Sequence, residues 1–485
     1  MPKKLLTASI AVAIGIIALR AATVPKFEVT PDIQSALDHI SANSLRGNLA
    51  FLASDLLEGR GTPSRGLDIA AEFIAAQYRR AGLEPVAGDS YFQVADMIVR
   101  RPNLAGFKLE IANGSSIIQI APHEVRLENA AAIDLERAPI VKVTAAAPPK
   151  PDSLAGKIGL VQMRDARTMD EALEKAHPAL LIVAGRTYSG TPPPQRVSLI
   201  DPTQPSAVSR LIVMSSKITG VYDALQPDAS VSIHAAAPAD EPAKIRNVIG
   251  ILRGSDPALK DTYIVVSAHY DHLGMKPSGD GDRIYNGAND DGSGTVSVIE
   301  IASAVAVMKT HPRRSIAFIT FFGEEEGLIG SEYYVHHPML PLAKTVANVE
   351  LEQVGRTDAS DGKQIATAAP TGYDYSNIPQ IFKSAGELTG IKVYNSGRTS
   401  NDFYTGSDNL SFAQAGIPAH AFCVAYIYPD YHGLADEWQK IDYDNMAKVD
   451  RMMALGTVML ADDANAPQWN ESNATARRFA EQRKQ

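Results

Sequence analysis

The spacing of apolar residues changes character along the chain. From Asp32 to Leu83 they recur every three or four residues, through LRGNLAFLASDLLEGR and, after a break rich in Gly, Pro and Ser, LDIAAEFIAAQYRRAGL; this period predicts helices. From about 94 to 244 the apolar runs shorten to strand length, separated by TAAAPPKPDS, SGTPPPQ and AAAPADEPAK, which read as loops and a linker. Inside that region KIGLVQM, TMDEALEKAH and ALLIVAG predict strand, helix and strand, with further strands in RLIVMSS and SVSIHAA. The stretch reads as a small β-rich α+β domain inserted into a larger one. After Asn247, apolar strands alternate with helical stretches: TYIVVSAH, GSGTVSVIEIASAVAVMK, SIAFITFF, GLIGSEYYVHH, TVANVELEQV and PAHAFCVAYIY. Such alternation predicts an α/β fold, a three-layer sandwich with a mostly parallel central sheet and helices on both faces. The expected organisation is a discontinuous main domain over 27–93 and 245–465, an insert over 94–244, and a C-terminal tail over 466–485.

Composition narrows the class. At 485 residues the chain exceeds one ordinary domain, and 45% hydrophobic content supports a large core. With 46 basic against 55 acidic residues, the net charge of −9 argues against nucleic acid as a partner. Lys3 and Lys4, the apolar run Leu5 to Leu19 and the small residues after it have the layout of a secretory signal over 1–22. The run is shorter than the roughly 18 to 20 residues a membrane span needs. The expectation is an exported protein, periplasmic or extracellular, with no stable membrane insertion once the signal is removed. Cys423 is the sole cysteine, so there is no disulfide framework and no thiolate metal site. A metal would have to be held by His, Asp and Glu.

Polar residues gather where the predicted strands end. His269 and Asp271 follow TYIVVSA; Asp290 and Asp291 lie in the glycine-rich turn opening the next helix; Glu324, Glu325 and Glu326 follow SIAFITFF; Glu350 and Glu352 close TVANV; Tyr431 and His432 come soon after the last strand. Singly, each is most simply a satisfied histidine, a solvated turn or a helix cap. Together they fall at the carboxyl edge of one parallel sheet, where such folds bind ligands. Two histidines and several carboxylates suit zinc or a similar divalent ion. Asp271, two residues beyond His269, is placed to orient its imidazole.

Six strings in order, AHYDHLG, GANDDGSG, GEEEGLIGS, ANVELEQVGR, SDNLSFAQAGIPA and DYHGLADEWQKID, resemble the successive motifs of the clan MH zinc aminopeptidases. That family includes bacterial leucyl-type aminopeptidases, glutamate carboxypeptidase and the transferrin receptor ectodomain. The insert, with LAGKIGLVQ and ALEKAHPALLIVAG, resembles a protease-associated domain. The resemblance implies two zinc ions bridged by Asp290, one completed by His269 and Glu352, the other by Glu325 and His432. It implies Glu324 as general base, Tyr431 as hydrogen-bond donor to the oxyanion, Asp271 as partner of His269, and a cis peptide between Asp290 and Asp291. One position departs: the family has Asp where this chain has Glu352. Register to Gly355 selects Glu352, and strand alternation keeps Glu350 on the same face as an alternative.

The implied function is an exported dizinc aminopeptidase, acting on peptides with a free N-terminus through a hydroxide that bridges the zinc ions. Three alternatives carry other predictions. A carboxypeptidase for acidic dipeptides would cleave substrates whose amine is blocked, a single-zinc acyltransferase of the glutaminyl cyclase kind would bind one ion per chain, and a receptor-like module would not turn over. The residues around Asn395 to Ser407 leave the side-chain preference open.

Overall fold

The structure, a computed structural model, describes residues 27–185, 197–205, 207–360 and 362–483. The expected signal at 1–22 and the SGTPPPQ loop at 189–195 lie outside the described residues. Three helices open the described chain: α1 (Pro31–His39), α2 (Ala42–Leu52) and α3 (Arg65–Ala81). Each starts where a hydroxyl accepts from a free backbone N–H: Thr30 from Ile33, Ser41 from Ser44 and Ser64 from Leu67.

Strand β1 (Phe92–Asn113) then pairs antiparallel with β2 (Ser230–Leu252) along most of their length. This overturns one sequence expectation, because AAAPADEPAK, read as a linker, lies inside β2. Pro238 and Pro242 are tolerated because β2 pairs there on one side only, with β1, whose other edge carries the short strand 198–200; the register slips between His234 and Ala239 next to the first proline.

The centre of the molecule is parallel. Strands β3 (Tyr263–His269), β4 (Ser315–Phe321), β5 (Thr345–Leu351) and β6 (Ala419–Cys423) are ordered β6-β5-β3-β4, all parallel, with β2 antiparallel to β4. Alternation divides their side chains between two cores. Ile264, Val266 and Ala268 of β3, with Ile316 and Phe318 of β4, join α1 to α3, α4 (Gly294–Ala306), α5 (Ile378–Thr389) and α6 (Tyr443–Asp462). Tyr263, Val265, Ala317, Ile319 and Phe321 face the opposite core, with Tyr334, Phe412 and Ala476. This is a three-layer arrangement.

Residues between Phe107 and Ala235 form two further apolar clusters around the ribbon's far end and the parallel strands 158–162 and 180–184. Residues 466–485, expected as a tail, contain α7 (Ala474–Gln482), whose Ala476 is buried and whose Phe479 stacks on Trp469. No helix among the described residues is long and apolar enough to cross a membrane.

Candidate metal centre

The four parallel strands end side by side, and the segments leaving them carry the site. His269 ends β3 and is fully buried. Asp290 sits in the turn before α4, after Gly287, whose φ of +55° favours glycine. Gly294, the first residue of α4, is required by close approach: a Cβ there would lie 2.2 Å from the Leu351 carbonyl oxygen and 2.3 Å from Asp291 Oδ2. The Asp290–Asp291 peptide is cis. Glu324 and Glu325 follow β4, Glu352 follows β5, and His432 lies on the loop beyond β6 with φ +55°.

Two donor groups meet at Asp290. His269 Nε2 lies 3.3 Å from Asp290 Oδ1 and 3.6 Å from Glu352 Oε2. His432 Nε2 lies 3.1 Å from Asp290 Oδ2 and 3.3 Å from Glu325 Oε1. Neither ring nitrogen of buried His269 has a hydrogen-bond partner, nor does Asp290 Oδ2. Buried polar atoms are normally paired, so orphaned donors converging on common points fit a dication that would pair them. The residues present fit zinc: imidazole and carboxylate donors without thiolate.

The other expected residues surround these groups. Glu324 Oε2 is 3.9 Å from His269 Nε2. Asp271 lies 3.5 Å from His269 Nδ1, and it also accepts from the Glu324 and Glu325 backbone N–H groups, at 3.1 and 3.4 Å. One carboxylate therefore links a strand-end histidine to the start of the glutamate loop. Glu352 accepts from the Ser407 hydroxyl at 2.7 Å, whereas Glu350 is buried and accepts from the Asn409 N–H at 2.5 Å. Tyr431 is partly exposed, its ring stacked on that of His432 with centroids 4.1 Å apart.

Electrostatics divide the two neighbouring glutamates. Burial pushes the Glu324 carboxyl well above its ordinary range, outweighing the attraction of His269. At Glu325, burial and Asp290 push upward, but His272 and His432 outweigh them and hold it at about 2. Burial alone would lower His269, yet Glu324 and Glu352 raise it well above its usual value. A carboxylate field that stabilises a proton on an imidazole also attracts a dication.

Sequence reasoning missed four supports. Arg60 is buried and donates to the carbonyls of Tyr270, Leu52, Asn286 and Gly287, pinning the segments that carry His269 and Asp290. Burial lowers its pKa to about 10, so it remains a cation near Asp271, Asp436, Asp291 and Asp290. Asp436 accepts from the Asn289 and Asp290 N–H groups and the Tyr428 hydroxyl. Asn289 Oδ1 accepts from the Gly355 and Arg356 N–H groups. The fourth is His272, fully buried, with Nδ1 2.7 Å from Glu325 Oε1. Its signal was present: it is the second histidine of AHYDHLG.

Residues 247–457 match the model for Peptidase family M28. The chain is 30% identical over 177 residues to Aminopeptidase YwaD of Bacillus subtilis, covering 36% of this chain and 32% of that protein. It is 33% identical over 124 residues to a probable zinc metalloprotease of Pyrenophora teres f. teres, covering 25% of each. The chain thus spans about a third or less of these curated relatives. Among solved structures, an aminopeptidase from Aneurinibacillus sp. strain AM-1 superposes with a TM-score of 0.56 at 21% identity, covering 90% of this chain and 97% of that one. A zinc aminopeptidase from Bacillus subtilis gives 0.50 at 19% identity, covering 86% and 95%. The two structural matches show a shared fold, and residues 247–457 carry the likeness to peptidase family M28.

Proposed function

We propose that this chain is an exported dizinc aminopeptidase. The observation that carries the reading is the pair of donor groups sharing Asp290, with Glu324 beside them and its carboxyl raised by burial. His269, Asp290 and Glu352 would hold one ion; Asp290, Glu325 and His432 the other. When bound, zinc supplies Lewis acidity and makes water acidic enough to lose a proton near neutral pH.

The chain's residues do the rest. Glu324 Oε2 takes the proton of the attacking water and passes it to the leaving amine, a task suited to a carboxyl titrating above its usual range. Asp271 fixes the Glu324 and Glu325 backbone relative to His269. Tyr431, whose phenol is raised by burial and by Asp290, stays protonated and donates to the oxyanion. A peptide's free ammonium is attracted to Glu324 and Glu352, which favours cleavage at the N-terminus. Residues 27–93 and 245–465 form the catalytic unit, and the protease-associated-like insert over 94–244 governs access by long peptides. Export rests on the sequence of residues 1–22.

The test pairs zinc analysis of the purified protein with a panel of aminoacyl-anilides, each with an N-acetylated control. Two zinc ions per chain and turnover restricted to free amines are expected. Cleavage of the blocked substrates would replace the aminopeptidase with a carboxypeptidase or endopeptidase. A single ion at saturation would overturn the dinuclear site.

A further inference from the structure

We infer that His272 is a fourth protein donor to the second metal pocket, beside Asp290, Glu325 and His432. The inference rests on the dinuclear reading above and adds a ligand to it. His272 Nδ1 lies 2.7 Å from Glu325 Oε1, the oxygen that His432 Nε2 approaches at 3.3 Å. Donor atoms of His272, Asp290 and Glu325 all lie within 4.8 Å of one another. Donors around a tetrahedral zinc at about 2.0 to 2.1 Å are separated by roughly 3.3 Å, and the two imidazole approaches to Glu325 Oε1, at 2.7 and 3.3 Å, are near that spacing.

The contact has the length of a hydrogen bond without its direction. Neither ring nitrogen of His272 has a hydrogen-bond partner, although the residue is 1% exposed. His269 shows the same combination of burial, short distances to carboxylates and unsatisfied nitrogens. His420 serves as an internal control. It too is fully buried, but Nε2 pairs with the Ser376 hydroxyl at 2.6 Å and Nδ1 with the Thr371 carbonyl at 2.7 Å, and burial lowers its pKa to about 4. A structural histidine of this chain is satisfied by the protein; His269 and His272 are not.

The position of His272 is also built. Its backbone N–H donates to the Arg60 carbonyl at 3.2 Å, and two residues on the Gly274 N–H donates to Gly59 at 3.1 Å. Its ring fills the space beside Gly287, where a Cβ would lie 2.4 Å from ring carbons. The imidazole therefore has one place to go, against the Glu325 carboxylate and edge-on to the His432 ring at 5.8 Å. His432 side-chain exposure is 36%, so the second pocket has one open and one closed imidazole. The first pocket has a single imidazole, that of His269.

The experiment uses the full chain, freed of metal with a chelator and titrated with zinc. X-ray absorption fine structure on the unmodified two-zinc protein should count three imidazoles shared between the two ions; a count of two overturns the inference without requiring any variant to fold. H272N keeps an amide donor near the Nδ1 position but is a poor zinc ligand. It should bind the first ion normally and the second at least about tenfold more weakly. Second-ion affinity equal to that of the unmodified chain would mean that His272 only donates a hydrogen bond, and the inference fails. H432A should still take up a second ion, weakly, and the double variant H272N/H432A should bind one. If H432A alone binds one ion at all zinc concentrations, the inference also fails. If the unmodified chain binds only one, the dinuclear reading has failed and the inference with it.

Discussion

The carboxyl edge of the parallel strands and the β1–β2 ribbon both carry many charges, but they handle them differently. On the ribbon, acids and bases alternate across the strands and meet one to one in water: Arg100 with Asp240, and Lys244 with Asp96. At the sheet edge, Asp290, Glu324, Glu325 and Glu352 crowd together with side chains at most 13% exposed, and the groups nearest them are imidazoles. Arg60, a guanidinium nearby, directs its donors to backbone carbonyls. Burying a carboxylate without a counter-charge costs several kcal/mol. On the proposed reading, an edge built this way is stabilised by bound dications, whereas the ribbon's charges are already paired.

The glutamates of GEEEG test that contrast most strongly. E324Q should keep both ions and lose about 100- to 10,000-fold in turnover, the range expected when a general base is removed. E325Q should lose zinc affinity, because a neutral amide is a poor ligand. E326Q should do neither. Zinc counts alongside anilide turnover decide it: if E325Q keeps two ions while E326Q loses one, the register is wrong by a residue and Glu325 is the base.

Removing the far part of the insert should leave the edge intact. The ribbon offers a place to cut, since Ala239 pairs with Arg101: closing the chain there with a tight turn keeps pairs 92–101 with 239–248 and gives up strand 198–200, whose Leu199 reaches the main core. This variant should bind the same number of zinc ions as the full chain. Its turnover of long peptides should change more than its turnover of anilides. Loss of metal would show that the insert helps to build the edge, and the two regions would no longer be separable.

How far the sequence reveals these regions follows from the same contrast. Strand period and motif order point to the edge, because glycines there answer to single geometric demands: Gly294 to the Leu351 carbonyl, and Gly355 to Ile441 and the Asn289 amide oxygen, 2.8 and 3.0 Å from where a Cβ would sit. The ribbon was misread because Pro238 and Pro242 are loop signals, and their tolerance depends on an unpaired strand edge that only the tertiary structure supplies. Arg60 and Asp436 were invisible for another reason. They act on backbone N–H and C=O groups distant in sequence, which leave no pattern in side-chain identity. The C-terminal helix was missed because its apolar face is two small alanines and Phe479 among charged residues.

Asp450 could break the rule that buried carboxylates here belong to metal. It lies on α6, fully buried near Ser297 and Glu300 of α4, and burial raises its pKa well above the ordinary value. With the folded value above the unfolded one, folding takes up a proton. The stability that goes with this is fully present below the ordinary carboxylate range and is lost as pH rises toward the folded value. D450N has no proton to take up. Its melting temperature relative to the unmodified chain should therefore rise from about pH 5 to pH 8. A flat difference would mean that Asp450 stays ionised in the folded chain, held by a counter-charge.

The smallest effect is expected on the ribbon. Arg100 and Asp240 face each other in register, with Nε to Oδ1 at 2.8 Å and Nη2 to Oδ2 at 2.6 Å, a fork geometry on an exposed surface. Their side chains are 21% and 38% exposed, so water and salt screen the pair. A double-mutant cycle of R100A and D240A, read by denaturant unfolding, should give a coupling of about 1 kcal/mol or less that fades as salt is added. The same protein carries a cluster of like charges at its sheet edge, so the two results belong together. A coupling of several kcal/mol, indifferent to salt, would mean that the ribbon's charges are held away from water. The difference between a self-sufficient ribbon and a metal-dependent edge would then be one of sign and spacing rather than of solvent exposure.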